Sequence, residues 1–434
     1  MIKRWFFALA KPEPKYPVVG TREMEVFAQI PLPPKVSLLV KRPNGNDDGL
    51  LIKVGDRVRT GQKLRLAAVG QEYLISTVTG SIGAVTPYTG YLGQVYVSIS
   101  IDVAEEERWD GEFDRAGRTP NRQNATRFLA SLPGQSDFAS LINSQPPLDT
   151  FVVNGVDKDV LITTNQRVVQ AGNEQLKDGI DYLRKISGVN RIMLLVTPEL
   201  TPQAERMDVE LRVIESAYPG TLPKMVMKTV LGKEVPAGKT CADLGVGFIS
   251  AEAVASLGSA LNEGQIPVDK RLTVIKKDGS TVNVKARIGT PVKEILNALQ
   301  LEAGHGDRVV MGGPMTGYAI HSDDMPVLSD TDAIMVQDKE QITPSSDNQC
   351  INCGECVRAC PANIPANMLV RLLENALYEE AVNQYDLLSC IECGLCSYVC
   401  IARIPVFQYI MLGKYEFARA KSAEESNAES EAIH

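Results

Sequence analysis

Eight cysteines crowded into one stretch decide what this chain can fold into. Between residues 350 and 400 it reads Cys350-Ile-Asn-Cys353-Gly-Glu-Cys356-Val-Arg-Ala-Cys360-Pro361 and, about thirty residues later, Cys390-Ile-Glu-Cys393-Gly-Leu-Cys396-Ser-Tyr-Val-Cys400. The spacing C-x2-C-x2-C-x3-C is thus written twice and uses eight of the nine cysteines. Three thiols at two-residue gaps converge from a tight loop on one side of a cubane [4Fe–4S] cluster, while the fourth, on the following helix, points away. A zinc ribbon wants two isolated C-x2-C pairs instead, and a disulfide framework does not suit a chain without a secretion signal.

Where two such motifs share a domain, the fourth thiolate of each ligates the other motif's cluster. The expected ligand sets are therefore Cys350, Cys353, Cys356 and Cys400 for one [4Fe–4S] centre and Cys390, Cys393, Cys396 and Cys360 for the second. Gly354 and Gly394 give each loop room to fold around sulfur. The second motif departs from the first in one place, since Pro361 follows Cys360 but Ile401 follows Cys400. Between the motifs, Met368, Leu369, Leu372, Leu373, Ala376, Leu377, Ala381 and Val382 recur at helical spacing, which predicts a helix-rich insert over residues 365–388 with its apolar side in the core.

The rest of the chain is ordinary globular material: 434 residues, 44% hydrophobic and 23% charged, enough for about three domains. A formal charge of −8 argues against nucleic acid as a partner. No apolar run reaches the roughly eighteen residues of a membrane-crossing helix. Cysteines gathered into thiolate motifs point to a reducing compartment, and Cys241, outside them, reads as a small buried hydrophobe.

Residues 1–30 open with Trp5, Phe6, Phe7 and Leu9 beside Lys3, Arg4 and Lys11, then Pro12, Pro14 and Pro17. That pattern suits an anchoring segment at a membrane surface or against a partner, and equally a frayed terminus packed on its own domain. Residues 31–104 alternate short apolar strands with polar and glycine turns, as in a barrel-sandwich hybrid, with no swinging-arm lysine at a hairpin tip. Residues 105–149 read as a polar linker with some helix.

From residue 150 to 266 the rhythm is α/β. Strands are expected at Thr150–Asn154 and Asn190–Val196, and helices over 167–186, 202–218 and 243–262, giving a largely parallel sheet with covering helices. No G-x-G-x-x-G follows a strand. Residues 267–325 form a small α+β unit: Asp278-Gly279-Ser280 signals a hairpin, Thr290-Pro291 opens a helix, and Met311-Gly-Gly-Pro-Met-Thr-Gly317 is a glycine loop read as a tight turn rather than a phosphate cradle. His305 and His321 lack ligand-spaced partners. The module at 340–420 holds the cysteines, and the Glu-, Ser- and Ala-rich tail at 421–434 is expected to be disordered.

In this order the chain resembles the C subunit of the Rnf membrane complex over roughly residues 30 to 415. The likeness is most specific in Leu231-Gly-Lys-Glu-Val-Pro236, Arg287-Ile-Gly-Thr-Pro-Val292, residues 311–317 and the cysteine motifs. It implies an SLBB β-grasp-like fold for the α+β unit, and kinship of the α/β domain with the flavin subunit of complex I. It also implies peripheral attachment to the cytoplasmic side of the cell inner membrane beside other subunits of a membrane redox complex.

Typical members of that family bind FMN and NADH through Gly-Gly-Ala-Gly-Phe-Pro-Thr, Asn-Ala-Ala-Glu-Cys-Glu-Pro and Tyr-Pro-Ser-Gly-Gly. Here the corresponding places hold Leu132-Pro-Gly-Gln-Ser-Asp-Phe138, Asn154-Gly-Val-Asp-Lys-Asp159 and Tyr218-Pro-Gly-Thr-Leu222. Two readings stay open. In the first the chain oxidises NADH through FMN in a divergent pocket near Asn154, Asp157 and Asp159. In the second it relays electrons through two clusters between a redox protein, such as a ferredoxin or flavoprotein, and the membrane subunits. The joint divergence of three loops favours the relay, with no FMN and no NADH.

Overall fold

A computed structural model of the chain describes residues 13–20, 27–41, 50–66, 73–171, 174–346 and 348–432. The aromatic cluster at Trp5, Phe6 and Phe7 lies outside them. The protein is a mixed α/β multidomain chain that divides into two compact units. The larger comprises residues 16–216 and 241–342, and the other is assembled from residues 1–15, 217–240 and 343–434.

The larger unit contains three sheet systems. Nearest the N-terminus, Lys35–Lys41, Val95–Val103, Gly80–Thr89 and Arg57–Val58 form an antiparallel sheet, with Lys63–Arg65 and Tyr73–Ile75 paired beside it. Period-two alternation makes these strands: in Lys35–Lys41 only Val36, Leu38 and Val40 are buried, and they share a core with Val97, Ile99 and Ile101.

The second system is a parallel sheet in the order Glu210–Val213, Arg191–Val196, Thr150–Asn154 and Val246–Ser250. Thr150–Asn154 is buried at every position, as a strand covered on both faces must be. The helices Glu174–Ser187 and Ala251–Glu263 cross at a close approach set by two glycines. A Cβ on Gly179 would strike the Val254 carbonyl, and one on Gly258 the Gln175 carbonyl.

Three expectations fail here. The stretch read as a linker with some helix has its helices, Glu112–Ala116, Arg122–Phe128 and Phe138–Ile142, but it is no linker. Its Phe113, Phe128, Leu129, Leu132 and Phe138 lie in the same core as Phe151 and Val153, their spacing hidden by polar residues between them. The helix expected over 202–218 shrinks to Thr201–Ala204 and a following 3-10 turn, and Glu210–Val213 is an edge strand. Val246–Ser250 is likewise a strand that precedes the helix rather than part of it.

The third system is a six-stranded mixed sheet, ordered Ala28–Gln29, Thr281–Arg287, Asp269–Ile275, Ala333–Gln337, Arg308–Met311 and Tyr318–Ala319. Its hairpin turns where Asp278-Gly279-Ser280 predicts, with Lys276 N–H and Ser280 C=O closing it. Ala333–Gln337 runs parallel to Asp269–Ile275 in the middle of the sheet, so this domain extends past the boundary expected at 325.

The smaller unit is helical. Ala366–Glu374 and Tyr378–Tyr385 form the insert, with Leu369, Leu373 and Ala381 buried in a core that also takes Val406, Phe407 and Ile410 from Val406–Ala432. That last helix runs on to Ala432, into the tail expected to be disordered, where Ala and Glu are strong helix formers. In the larger unit, Cys241 is half-buried rather than buried.

Candidate metal centre

The two cysteine loops are conformational twins. Each passes through a left-handed residue after its first cysteine, Asn352 in one and Glu392 in the other, then through a left-handed glycine, Gly354 or Gly394, that starts a short helix. A second matched pair, Asn363 and Arg403, is also left-handed after the last cysteine of each motif. The glycines are needed because the backbone there sits at φ values of 74° and 70°, which side chains rarely tolerate.

The fold sorts the cysteines across the motifs. Cys350, Cys353, Cys356 and Cys400 line one small cavity, walled by Val370, Ile404 and Val406, while Cys360 is not part of it. Cys360 is instead the charge neighbour of Cys390, Cys393 and Cys396. The first set opens to solvent: Cys353 is exposed, and Ile351 and Ile401 are 64% and 63% exposed. The second is enclosed, with Cys390, Cys393 and Cys396 all buried. Ile401, standing where the motif expects proline, is part of the surface beside the first set.

The four buried thiols, Cys356, Cys390, Cys393 and Cys396, are hard to ionise as they stand. Burial, and then the neighbouring Cys350 and Cys353, push the Cys356 thiol up to about 11. Cys393 is pushed up to about 12 by burial, opposed by the Leu395 amide. Four crowded thiolates need a positive core, and iron supplies it, so the donor set fits a cubane cluster. Backbone groups already point at sulfur, since Glu392 N–H donates to Cys390 Sγ at 3.4 Å. Each loop also has a cation on a cysteine carbonyl. Arg358 donates to Cys353 C=O at 3.0 Å and pairs with Glu355, while Lys414 donates to Cys390 C=O at 3.0 Å and pairs with Glu392.

Residues 217–240 complete this unit. Tyr218 donates its phenol to Cys393 C=O at 2.6 Å, and Lys224 Nζ donates to Leu388 C=O at 3.2 Å. Sequence reasoning read Tyr218 only as the remnant of a flavin turn. Its contact with a cysteine loop has no local signal, because the partners are 175 residues apart.

The residues singled out for a degenerate flavin site turn inward. Asp157 accepts from the backbone N–H of Asn165, at 2.8 Å, and of Gln166, so a carboxylate of the chain itself sits at the start of helix Thr164–Ala171. Asn154 accepts from Val156 N–H. Asp159 accepts from the amides of Met315 and Thr316 and from the Thr316 hydroxyl, which makes residues 311–317 the tight turn expected. Gly134, in the loop that stands for the flavin glycines, lies against Ser250 and Glu252, and its N–H donates to Ser329 C=O. Burial pushes Asp157 up to about 7 against its hydrogen bonds. Asp159 is raised for the same reason.

Comparison with known proteins divides along the same lines. Residues 134–262 match a family described as the Nuo51 FMN-binding domain, and residues 344–401 match the 4Fe-4S dicluster domain. The chain is similar to proteins named as the C subunit of the ion-translocating oxidoreductase complex. The one from Klebsiella pneumoniae (strain 342) is 29% identical over 99% of this chain and 59% of its own length. The one from Pectobacterium carotovorum subsp. carotovorum (strain PC1) is 29% identical over 82% of this chain and 50% of its own. The chain thus spans between half and three fifths of these curated relatives. A crystal structure of an NAD+-reducing [NiFe]-hydrogenase in the H2-reduced state aligns at a TM-score of 0.46, with 13% identity, over 70% of this chain and 63% of that one, a likeness too distant to argue from.

Proposed function

We propose that this chain, similar along nearly its whole length to the C subunit of ion-translocating oxidoreductases, is the peripheral electron-transfer subunit of an Rnf-type membrane complex. It passes electrons through two [4Fe–4S] clusters between a soluble redox protein, a ferredoxin or flavoprotein, and the membrane subunits. The observation that carries this is the crossed sorting of eight cysteines in one unit, one set open to solvent and the other enclosed.

Each cluster, when bound, supplies reversible one-electron transfer. The residues of the chain set the conditions for it. Cys350, Cys353, Cys356 and Cys400 would hold one cluster on the solvent-facing side, and Cys390, Cys393, Cys396 and Cys360 would hold the other among the buried sulfurs. Lys414 and Arg358 place positive charge beside the two loops, which favours the more negative reduced state. The apolar walls keep the electrostatic response of the surroundings small.

Flavin and NADH chemistry are not assigned to this chain. The FMN-domain match supports common ancestry of residues 134–262. The amides that would recognise a phosphate are engaged by Asp157 and Asp159. The strand order of the six-stranded sheet supports an SLBB β-grasp reading, and the antiparallel system of residues 35–103 a barrel-sandwich hybrid. Among the described residues no helix is long and apolar enough to cross a membrane. Attachment to the cytoplasmic side of the inner membrane is assigned to partner subunits, since the relatives are named as parts of a complex.

Anaerobic reconstitution with iron, sulfide and excess FMN, followed by desalting, tests the reading. About eight irons per chain, cubane EPR signals on reduction and no retained flavin are expected. One FMN per chain that NADH bleaches would overturn the relay and make the chain an NADH-oxidising subunit.

A further inference from the structure

A second cavity is lined by none of the cysteines. It has a volume of about 330 Å³ and lies in the larger unit between the antiparallel strands of residues 80–103 and the loops of residues 311–332. Four tyrosines line it: Tyr88, Tyr91, Tyr96 and Tyr318. Tyr91 and Tyr318 stack with ring centroids 4.6 Å apart at 18°, and Tyr88 meets Tyr96 edge-on at 6.4 Å. Tyr88 donates its hydroxyl to Met325 sulfur at 2.8 Å. Neither Tyr91 nor Tyr318 has a hydrogen-bond partner for its hydroxyl among the described residues.

The charge lining the cavity is unbalanced. Asp159 is consumed by the turn it holds. Asp332 has two lysines at the outer edge of ion pairing, Lys158 at 4.0 Å and Lys270 at 3.7 Å, and Lys270 is paired more closely with Glu252. Asp330 has no cation within 4 Å among the described residues and accepts only from its own backbone N–H. Asp330 is exposed to solvent and shares the cavity lining with Lys158. The surrounding protein and then Asp332 push its carboxyl upward, against a weaker opposing pull from Lys158 and Lys270.

We propose that this cavity binds a small organic ammonium ion, its cationic head held against the tyrosine rings and opposite the unpaired carboxylate of Asp330. Aromatic faces attract a cation through the ring quadrupole, and desolvated sites strengthen the effect. A carboxylate without a partner adds selectivity for charge over shape. A neutral ligand of similar shape would gain the apolar contact but leave Asp330 uncompensated. The cavity volume falls in the range of small-molecule sites.

The test uses the reconstituted full chain with clusters intact and choline as the probe, with 3,3-dimethylbutan-1-ol as its uncharged isostere, both followed by titration calorimetry. Saturable choline binding is expected, with the isostere at least tenfold weaker. Asp330→Asn and Tyr318→Leu should each weaken choline about tenfold while cluster absorbance and circular dichroism match the parent chain. No saturable binding of choline, equal binding of the isostere, or an Asp330→Asn chain that binds unchanged would each overturn the proposal. Should Tyr318→Leu fail to fold, Tyr91→Leu, on the other half of the stacked pair, supplies the same reading.

Discussion

The phenol of Tyr218 donates a 2.6 Å hydrogen bond to the carbonyl of Cys393, so the loop of one cysteine motif is fastened by a residue from the middle of the chain. The bond is buried, and the carbonyl belongs to the enclosed sulfur set. Tyr218→Phe keeps the ring and removes the donor. The expected loss is about 1 to 3 kcal/mol, the range for stranding a buried acceptor. Anaerobic thermal melts followed at the cluster absorbance should show that loss, with any change in EPR signal confined to the cluster of Cys390, Cys393, Cys396 and Cys360. A melt indistinguishable from the parent would deny the contact any structural weight.

Cys360→Ser separates crossed from local ligation. The cavity of Cys350, Cys353, Cys356 and Cys400 does not include Cys360, so the variant should keep one cluster and lose or convert the other. Iron counts falling from about eight towards four, with the EPR signal of the solvent-facing cluster retained, are the expected outcome. Loss of that signal instead would refute the crossed sorting.

The close crossing of helices Glu174–Ser187 and Ala251–Glu263 gives a stability test away from the clusters. Gly179→Ala puts a methyl group against the Val254 carbonyl, a backbone atom that cannot rotate aside. Overpacking of this kind costs about 1 to 3 kcal/mol. Denaturant unfolding should show the unfolding free energy lowered by that amount, whereas a neutral substitution would mean that the helices separate easily.

Asp157 links pH to stability. Burial raises its carboxyl from 3.8 to about 7 in the folded chain, so the native state holds a proton that the unfolded chain has released across that interval. More protons bound in the native state means that stability falls as pH rises, and this contribution is full below about 4 and gone above about 7. Its size is at most on the order of 4 kcal/mol. Asp157→Asn should flatten the decline of unfolding free energy between those limits while keeping an oxygen acceptor for Asn165 N–H. A parent chain whose stability rises across the interval would contradict the assignment.

How much of this was legible in sequence follows the reach of each signal. The two cysteine motifs, the hairpin at Asp278-Gly279-Ser280 and the strand Thr150–Asn154 are written in local spacing and turn chemistry; the motifs fall in the dicluster match, and the hairpin and strand form where expected. Residues 105–149 were misread because Phe113, Phe128 and Phe138 are too far apart to form a period, and only the folded core reveals them as one surface. Glu210–Val213 was masked by polar residues that an edge strand tolerates. The inward roles of Asp157 and Asp159 depend on amides eight and more than a hundred and fifty residues away, which no local pattern encodes.

The smaller unit gathers residues 217–240 and 343–434, with Tyr218 and Cys393 separated by 175 positions. At the usual pace of synthesis, roughly 5 to 20 residues per second, Tyr218 leaves the ribosome about ten to thirty-five seconds before the carbonyl it will grip. During that wait Tyr218 has an earlier-made partner, the Pro14 carbonyl that accepts from its backbone N–H, while the cysteine loops of its unit are still to come. Every cluster ligand lies downstream of that segment, so neither cluster can close before position 400 has emerged, and the grip of Tyr218 on the Cys393 loop comes with the final stretch of synthesis.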